Sequence, residues 1–154
     1  MKKMYIVYKT HLDIGFTDLA ANVIDSYVED FIPRAIELAE KVPDKFVWTT
    51  GSWLIDYYLN QADVTEDKKE RLKTTLQQGG IKWHGLASTT WTELMDKTLF
   101  NYSLSLSQTL DAEFNKKTIA AKMTDIPGHT ISMVPLMAQA GLKYFHIGVN
   151  ASSA

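Results

Sequence analysis

Phe46-Val47-Trp48-Thr49-Thr50-Gly51-Ser52-Trp53-Leu54-Ile55-Asp56-Tyr57-Tyr58 changes its period in the middle. The first five residues are apolar, aromatic or β-branched, the composition of a strand. Gly51-Ser52 ends the extended run and opens a helix through Trp53, Ile55 and Tyr58. A strand passing straight into a helix is half of a β-α-β unit, and the same change recurs on both sides.

Upstream, Tyr5 to Tyr8 reads as a strand, and Thr17-Asp18 offers capping chemistry for a helix to about Lys41. Pro33 must kink that helix or begin a second one. Downstream, Thr65 caps a charged helix that ends at Gln78-Gly79-Gly80, where glycine suits a C-terminus. Ile81-Lys82-Trp83-His84 is a third strand. A long helix is predicted from about Thr92 to Lys117, with Leu99, Tyr102, Leu106, Leu110 and Phe114 at helical spacing. Thr118 to Met123 follows as a fourth strand, with a turn at Asp125-Ile126-Pro127-Gly128. His129 to Ala140 is predicted helical, and Lys143 to Ile147 is a fifth strand.

Strict alternation of this kind implies the α/β class, with a parallel sheet of about five strands covered by helices. Such a sheet fits a complete doubly wound domain or an unclosed piece of a barrel, and periodicity leaves both open. No repeat, low-complexity segment or linker interrupts residues 1–154, so one domain is expected.

Composition narrows the function. The 154 residues are 45% hydrophobic and 22% charged, with a formal net charge of −2, which gives no basic footprint for nucleic acid. There is no cysteine, so a metal must be held by histidine and carboxylate. No apolar run approaches the ~20 residues of a membrane span. Met1 to Tyr8 is too short for a signal peptide and has no small-residue cleavage site, so a cytoplasmic location is the default expectation unless an upstream signal precedes it.

In parallel α/β folds the chemistry gathers at the carboxyl ends of the strands. His11, His84, His129 and His146 all fall near strand ends on this reading. In His11-Leu12-Asp13 the i and i+2 side chains share one side of an extended segment, so imidazole and carboxylate can meet on one ion. Gly15 lets the backbone turn away beyond them. The competing reading makes Asp13 a helix cap bonded to His11. Asp125, after a buried strand and before Pro127-Gly128, is placed to be a metal ligand, a nucleophile or a base, or else an N-cap. His84 fits substrate binding or a structural hydrogen bond. Phe16, Trp83 and Trp91 could stack on sugars or fill a core. Glu93 and Asp96 could be catalytic acids or first-turn acids, and His146 is expected to be buried and structural.

Lys9-Thr10-His11-Leu12-Asp13-Ile14-Gly15-Phe16 resembles the H-x-D-x-G-[WF] motif of glycoside hydrolase family 38, the α-mannosidases. Thr124-Asp125-Ile126-Pro127-Gly128-His129-Thr130 resembles its I-D-P-F-G-H-S motif, and Met137 to Phe145 its A-x-M-G-F-x-x-F continuation. Phe46-Val47-Trp48 and Gln78 to Trp83 resemble intervening segments in the same order. The resemblance implies the first five or so strands of a seven-stranded β/α barrel. It implies Zn2+ held by His11, Asp13 and Asp125, with Asp125 also the nucleophile of a retaining reaction on an α-linked carbohydrate. Phe16, Trp91, His84 and His129 become candidate substrate contacts.

The chain departs from the family pattern in places. It has D-I-P-G for D-P-F-G, Gly85-Leu86-Ala87 for G-G-W, and Thr50 at an acidic position, which point to altered sugar contacts and a bacterial branch. The family's fourth zinc ligand and its general acid lie in the carboxy-terminal half of the barrel. These residues alone are therefore expected to turn over little. The alternatives are a metal-dependent carbohydrate deacetylase on a related barrel, or a non-catalytic carbohydrate-binding or structural fragment.

Overall fold

The computed structural model describes residues 3–4, 8–9, 11–43 and 45–149. The expected first strand lies partly outside them, at residues 5–7; the described part is β1, Tyr8–Lys9. It pairs parallel with β2, Trp48–Gly51, and β2 pairs parallel with β3, Ile81–His84. A second parallel pair joins β4, Ala120–Ile126, to β5, Tyr144–Val149. The expected parallel α/β arrangement is present, but as sheets of three and two strands. Between them the Gly85 N–H donates to the Ala120 carbonyl at 2.9 Å. Below that bond the seam opens into a cleft of about 380 Å³ flanked by Lys82, Lys116 and Thr118.

The helix after β1 shows how the chain absorbs a proline. Helix α1, Ala20–Ser26, continues through a wide π turn, Tyr27–Phe31, into α2, Ile32–Lys41. Pro33 has no N–H for the carbonyl of Glu29. The helix widens just before it, so that the Ile32 N–H reaches back to Tyr27. The proline stands in the first turn of α2, so a second α-helical segment begins there, joined to α1 through the π turn. Thr17-Asp18 does not cap α1. Leu19 is the cap residue, and Asp18 accepts from its N–H at 2.7 Å.

Helix α3, Ser52–Asn60, and α4, Glu66–Gln78, match expectation. The Thr65 hydroxyl accepts from the Lys68 N–H, and Gly79 closes α4 at φ 84°. The core of this region holds Ile32, Ile36, Leu54, Ile55, Tyr58, Leu72, Leu76 and Ile81, all at most 2% exposed. Each such aliphatic side chain contributes roughly 1.5–3 kcal/mol by leaving water. Arg71 also grips Glu40 through two nitrogens, at 2.8 and 3.3 Å, tying α4 to α2.

The long helix is shorter than expected. A 3-10 turn, Thr92–Leu94, precedes α5, Lys97–Phe114, which starts where Asp96 accepts from the Leu99 N–H at 2.8 Å. Leu99 and Tyr102, expected on the buried stripe, are exposed. Leu106, Leu110 and Phe114 are buried as expected, and Phe100, Ser103, Leu104 and Ser107 complete the buried face. Its serines are there because the loop after β3 lies against it. The Ala87 N–H donates to the Ser103 hydroxyl, and the Ser107 hydroxyl donates to the Gly85 carbonyl.

Helix α6, Met133–Gln139, begins four residues later than expected. Pro135 gives the reason. It cannot donate to a carbonyl at 131, so it must stand in the first turn, and the helix cannot reach back to His129. The second core gathers Leu86, Phe100, Leu104, Met123, Ile126, Met133 and Met137. His146 was expected among buried neighbours, but it is exposed, as are Tyr144 at 65% and Ile147 at 54%. Among the described residues β5 pairs only with β4, so nothing covers its outer edge. No described helix is long and apolar enough to cross a membrane.

Candidate active site and metal centre

Asp125 owes its position to an irregularity in β4. Along that strand Ala121 and Met123 are buried, and regular alternation would bury residue 125 beside them. A bulge between Thr124 and Ile126 shifts the register by one. Ile126 takes the buried place at 5% exposure, and Asp125 is turned out with φ 65°. The turn expected at Asp125 is thus the irregular end of the strand itself. Gly148 stands opposite Thr124 there, where a Cβ would meet the threonine methyl at 2.8 Å.

The segment after β1 supplies the other two groups. Gly15, at φ 86°, turns the chain just past His11 and Asp13. His11 Nε2 lies 2.9 Å from an Asp13 carboxylate oxygen and 3.1 Å from an Asp125 oxygen. Neither approach is aligned as a hydrogen bond, and both His11 ring nitrogens are buried without a hydrogen-bond partner among the described residues. One donor atom from each of the three residues falls within 4.8 Å of the other two.

That misalignment is informative. A nitrogen hydrogen-bonded to a carboxylate aims its axis at the oxygen. Ligands around one ion all aim at the point between them. For bonds of about 2.0–2.1 Å in a tetrahedral site, the ligand atoms stand about 3.3 Å apart. The two measured separations are close to that edge. One imidazole and two carboxylates are donors that suit zinc and neighbouring divalent ions, so the residues fit such an ion.

A groove of about 360 Å³ runs beside the cluster, lined by Thr17, Asp18, Asn22, Val23, Ser26, Tyr27 and Phe31 with His11 and Asp13. Burial, and then the Asp13 carboxylate, push the Tyr27 hydroxyl above its usual range. Tyr27 therefore stays a neutral wall of the groove.

Phe16 and Trp91 are exposed, at 86% and 50%. His84 is buried at the end of β3, where its Nδ1 accepts from the Leu86 N–H at 3.3 Å, the structural role open to it in the sequence. Trp83 is a core residue, packed on Phe114 and donating from its indole to Asp111 at 3.0 Å. Asp96 is the cap of α5. Glu93 is exposed beside Gly128. His129 is half-buried, 3.4 Å from the Thr92 hydroxyl. Burial lowers its pKa below 6.5, with Glu93 opposing. His146 pairs in register with Lys122, earlier along β4 than Asp125, so the four histidines do not share one edge.

Several residues that shape the site carried no recognised signal. Thr92, Ser103 and Ser107 bind the loops after β3 and β4. Only the serines could have been found, as an i, i+4 pair beside Phe100 and Leu104 on one helix face.

Residues 1–149 match the family described as Glycosyl hydrolases family 38 N-terminal domain. No curated protein matches the chain.

Proposed function

The chain belongs to glycosyl hydrolases family 38, and from that premise we propose that it carries part of the active site of a zinc-dependent retaining glycosidase of the α-mannosidase type. Family membership implies a glycosidase acting on carbohydrate. The observation that supports the finer reading is the convergence of His11, Asp13 and Asp125 from two strands on one point. In this reading residues 1–154 form one domain, the first five or so strands of a seven-stranded barrel.

His11, Asp13 and Asp125 would hold Zn2+, which when bound grips sugar hydroxyls and favours ring distortion toward an oxocarbenium-like transition state. Asp125 acts as nucleophile: a carboxylate oxygen bonds to the anomeric carbon while the bond to the leaving oxygen breaks. Water then cleaves the glycosyl ester and regenerates the carboxylate. The positive φ at Asp125 supports this role, since strained backbone is kept where it aims a functional group. Phe16 and Trp91, both exposed, supply stacking faces for sugar. In this reading the fourth zinc ligand and the acid that protonates the leaving oxygen come from the carboxy-terminal half of the barrel.

A fluorinated α-mannosyl fluoride tests the reading, because fluoride leaves without protonation and a missing acid does not prevent labelling. With Zn2+ present, one glycosyl group should attach to the peptide bearing Asp125, and Asp125→Ala should abolish it. Titration calorimetry should give one Zn2+ per chain, weakened at least about 100-fold by His11→Ala, beyond the loss typical of outer-shell changes. Labelling elsewhere, wild-type zinc affinity in His11→Ala, or acetate release from acetylated sugars would overturn the proposal.

A further inference from the structure

Thr92 is 1% exposed and holds two groups from the loop that follows Asp125. Its hydroxyl oxygen accepts from the Thr130 N–H at 3.1 Å and stands 3.4 Å from Nδ1 of His129. The hydroxyl also has one hydrogen to place in a site closed to water. Among the described residues its one bonded acceptor is His129 Nδ1. Burial lowers the His129 pKa below its ordinary 6.5, with Glu93 opposing, and in the neutral ring at neutral pH one nitrogen is an acceptor and the other a donor. If Nδ1 accepts, Nε2 carries the proton, although that nitrogen is itself buried without a hydrogen-bond partner among the described residues.

We infer that Thr92 is a positioning residue, which fixes His129 in its Nε2–H tautomer and clamps the Gly128-His129-Thr130 loop that follows Asp125 at the end of β4. The clamp rests on a firm base. Thr92 starts a 3-10 turn that leads directly into the Asp96 cap of α5, and α5 packs in both cores. From the other side, Phe145 of β5 holds the His129 ring edge-on, with centroids 5.9 Å apart. Pro127 and Gly128 separate Asp125 from His129, and α6 starts only at Met133. The assignment of Asp125 to zinc rests on the proposed function; the tautomer of His129 does not.

The test uses the full chain labelled with 15N-histidine. Long-range proton–nitrogen correlation at neutral pH should show His129 with a bare Nδ1 and a protonated Nε2. Thr92→Val keeps the shape and removes the hydroxyl. It should produce a mixture of tautomers and weaken Zn2+ binding about 10-fold, the lower range of outer-shell effects. Thr92→Ser should restore both. A protonated Nδ1 in the wild-type chain overturns the inference even if the valine variant does not fold. So does a Thr92→Val chain that keeps wild-type tautomer and zinc affinity. Failure of the wild-type chain to bind zinc, with the Nε2–H tautomer present, would instead strike the proposed function and the loop clamp but leave the tautomer assignment standing.

Discussion

The three-stranded region and the two-stranded region differ in how much holds each strand. Around β2 and β3, helices α2, α3, α4 and α5 enclose a core with many side chains fully removed from water. Around β4 and β5 the core leans on α5 and α6, is rich in methionine, and leaves Tyr144, His146 and Ile147 in solvent. The candidate metal cluster spans both. His11 and Asp13 follow the first region's opening strand, and Asp125 ends β4. Precision at the cluster therefore depends on the weaker region as much as on the stronger one.

Core truncation should show the largest contrast. Leu72→Ala is expected to cost about 3–5 kcal/mol, and Met123→Ala about 2–3 kcal/mol because its surroundings can relax more. Urea midpoints would measure both, and equal losses would break the distinction. Next come two glycines. A Cβ at Gly51 would overlap the Ala87 carbonyl oxygen, the same oxygen that accepts from the Trp53 N–H. Gly51→Ala should cost about 1–3 kcal/mol through that overlap. Gly141, after α6, has nothing within 4 Å of its added Cβ, so Gly141→Ala should lose only about 1 kcal/mol, from its positive φ.

A smaller effect of opposite sign is expected at the bulge. Asp125→Gly relieves a left-handed backbone and should stabilise the zinc-free chain by up to about 1 kcal/mol, while zinc affinity falls. Thermal melts with and without Zn2+ would separate the two effects. The smallest is a pH dependence. The folded His129 pKa lies below its unfolded value of 6.5, so the unfolded chain binds more protons between the two. Stability from this group is complete above 6.5 and falls as pH drops through the window beneath it. His129→Gln should flatten that part of a urea series.

Much of the stronger region was legible because its signals are local. Thr65 and Gly79 bound α4 as capping chemistry requires, and Ile81 to His84 is a strand of the length expected. His11 and Asp13 were legible for the same reason, their i, i+2 spacing. The weaker region is written in relations between distant residues. Asp125 reads as a turn until Met123 and Ile126 are both known to be buried, which only pairing with β5 reveals. The serines of α5 look polar and outward until the loop at Gly85 and Ala87 arrives to use them. Pro135 was a local signal for the late start of α6, but the run from His129 obscured it.

The extra residue in β4 has a consequence for how such sequences compare. A strand sorts its side chains by odd and even, and the slip at Thr124 changes that parity once, immediately before the carboxylate. Lengthening or shortening β4 by one residue ahead of Thr124 would leave every motif letter intact and send the aspartate into the hydrocarbon interior. In this fold the count of residues ahead of the acid is as diagnostic as the acid itself.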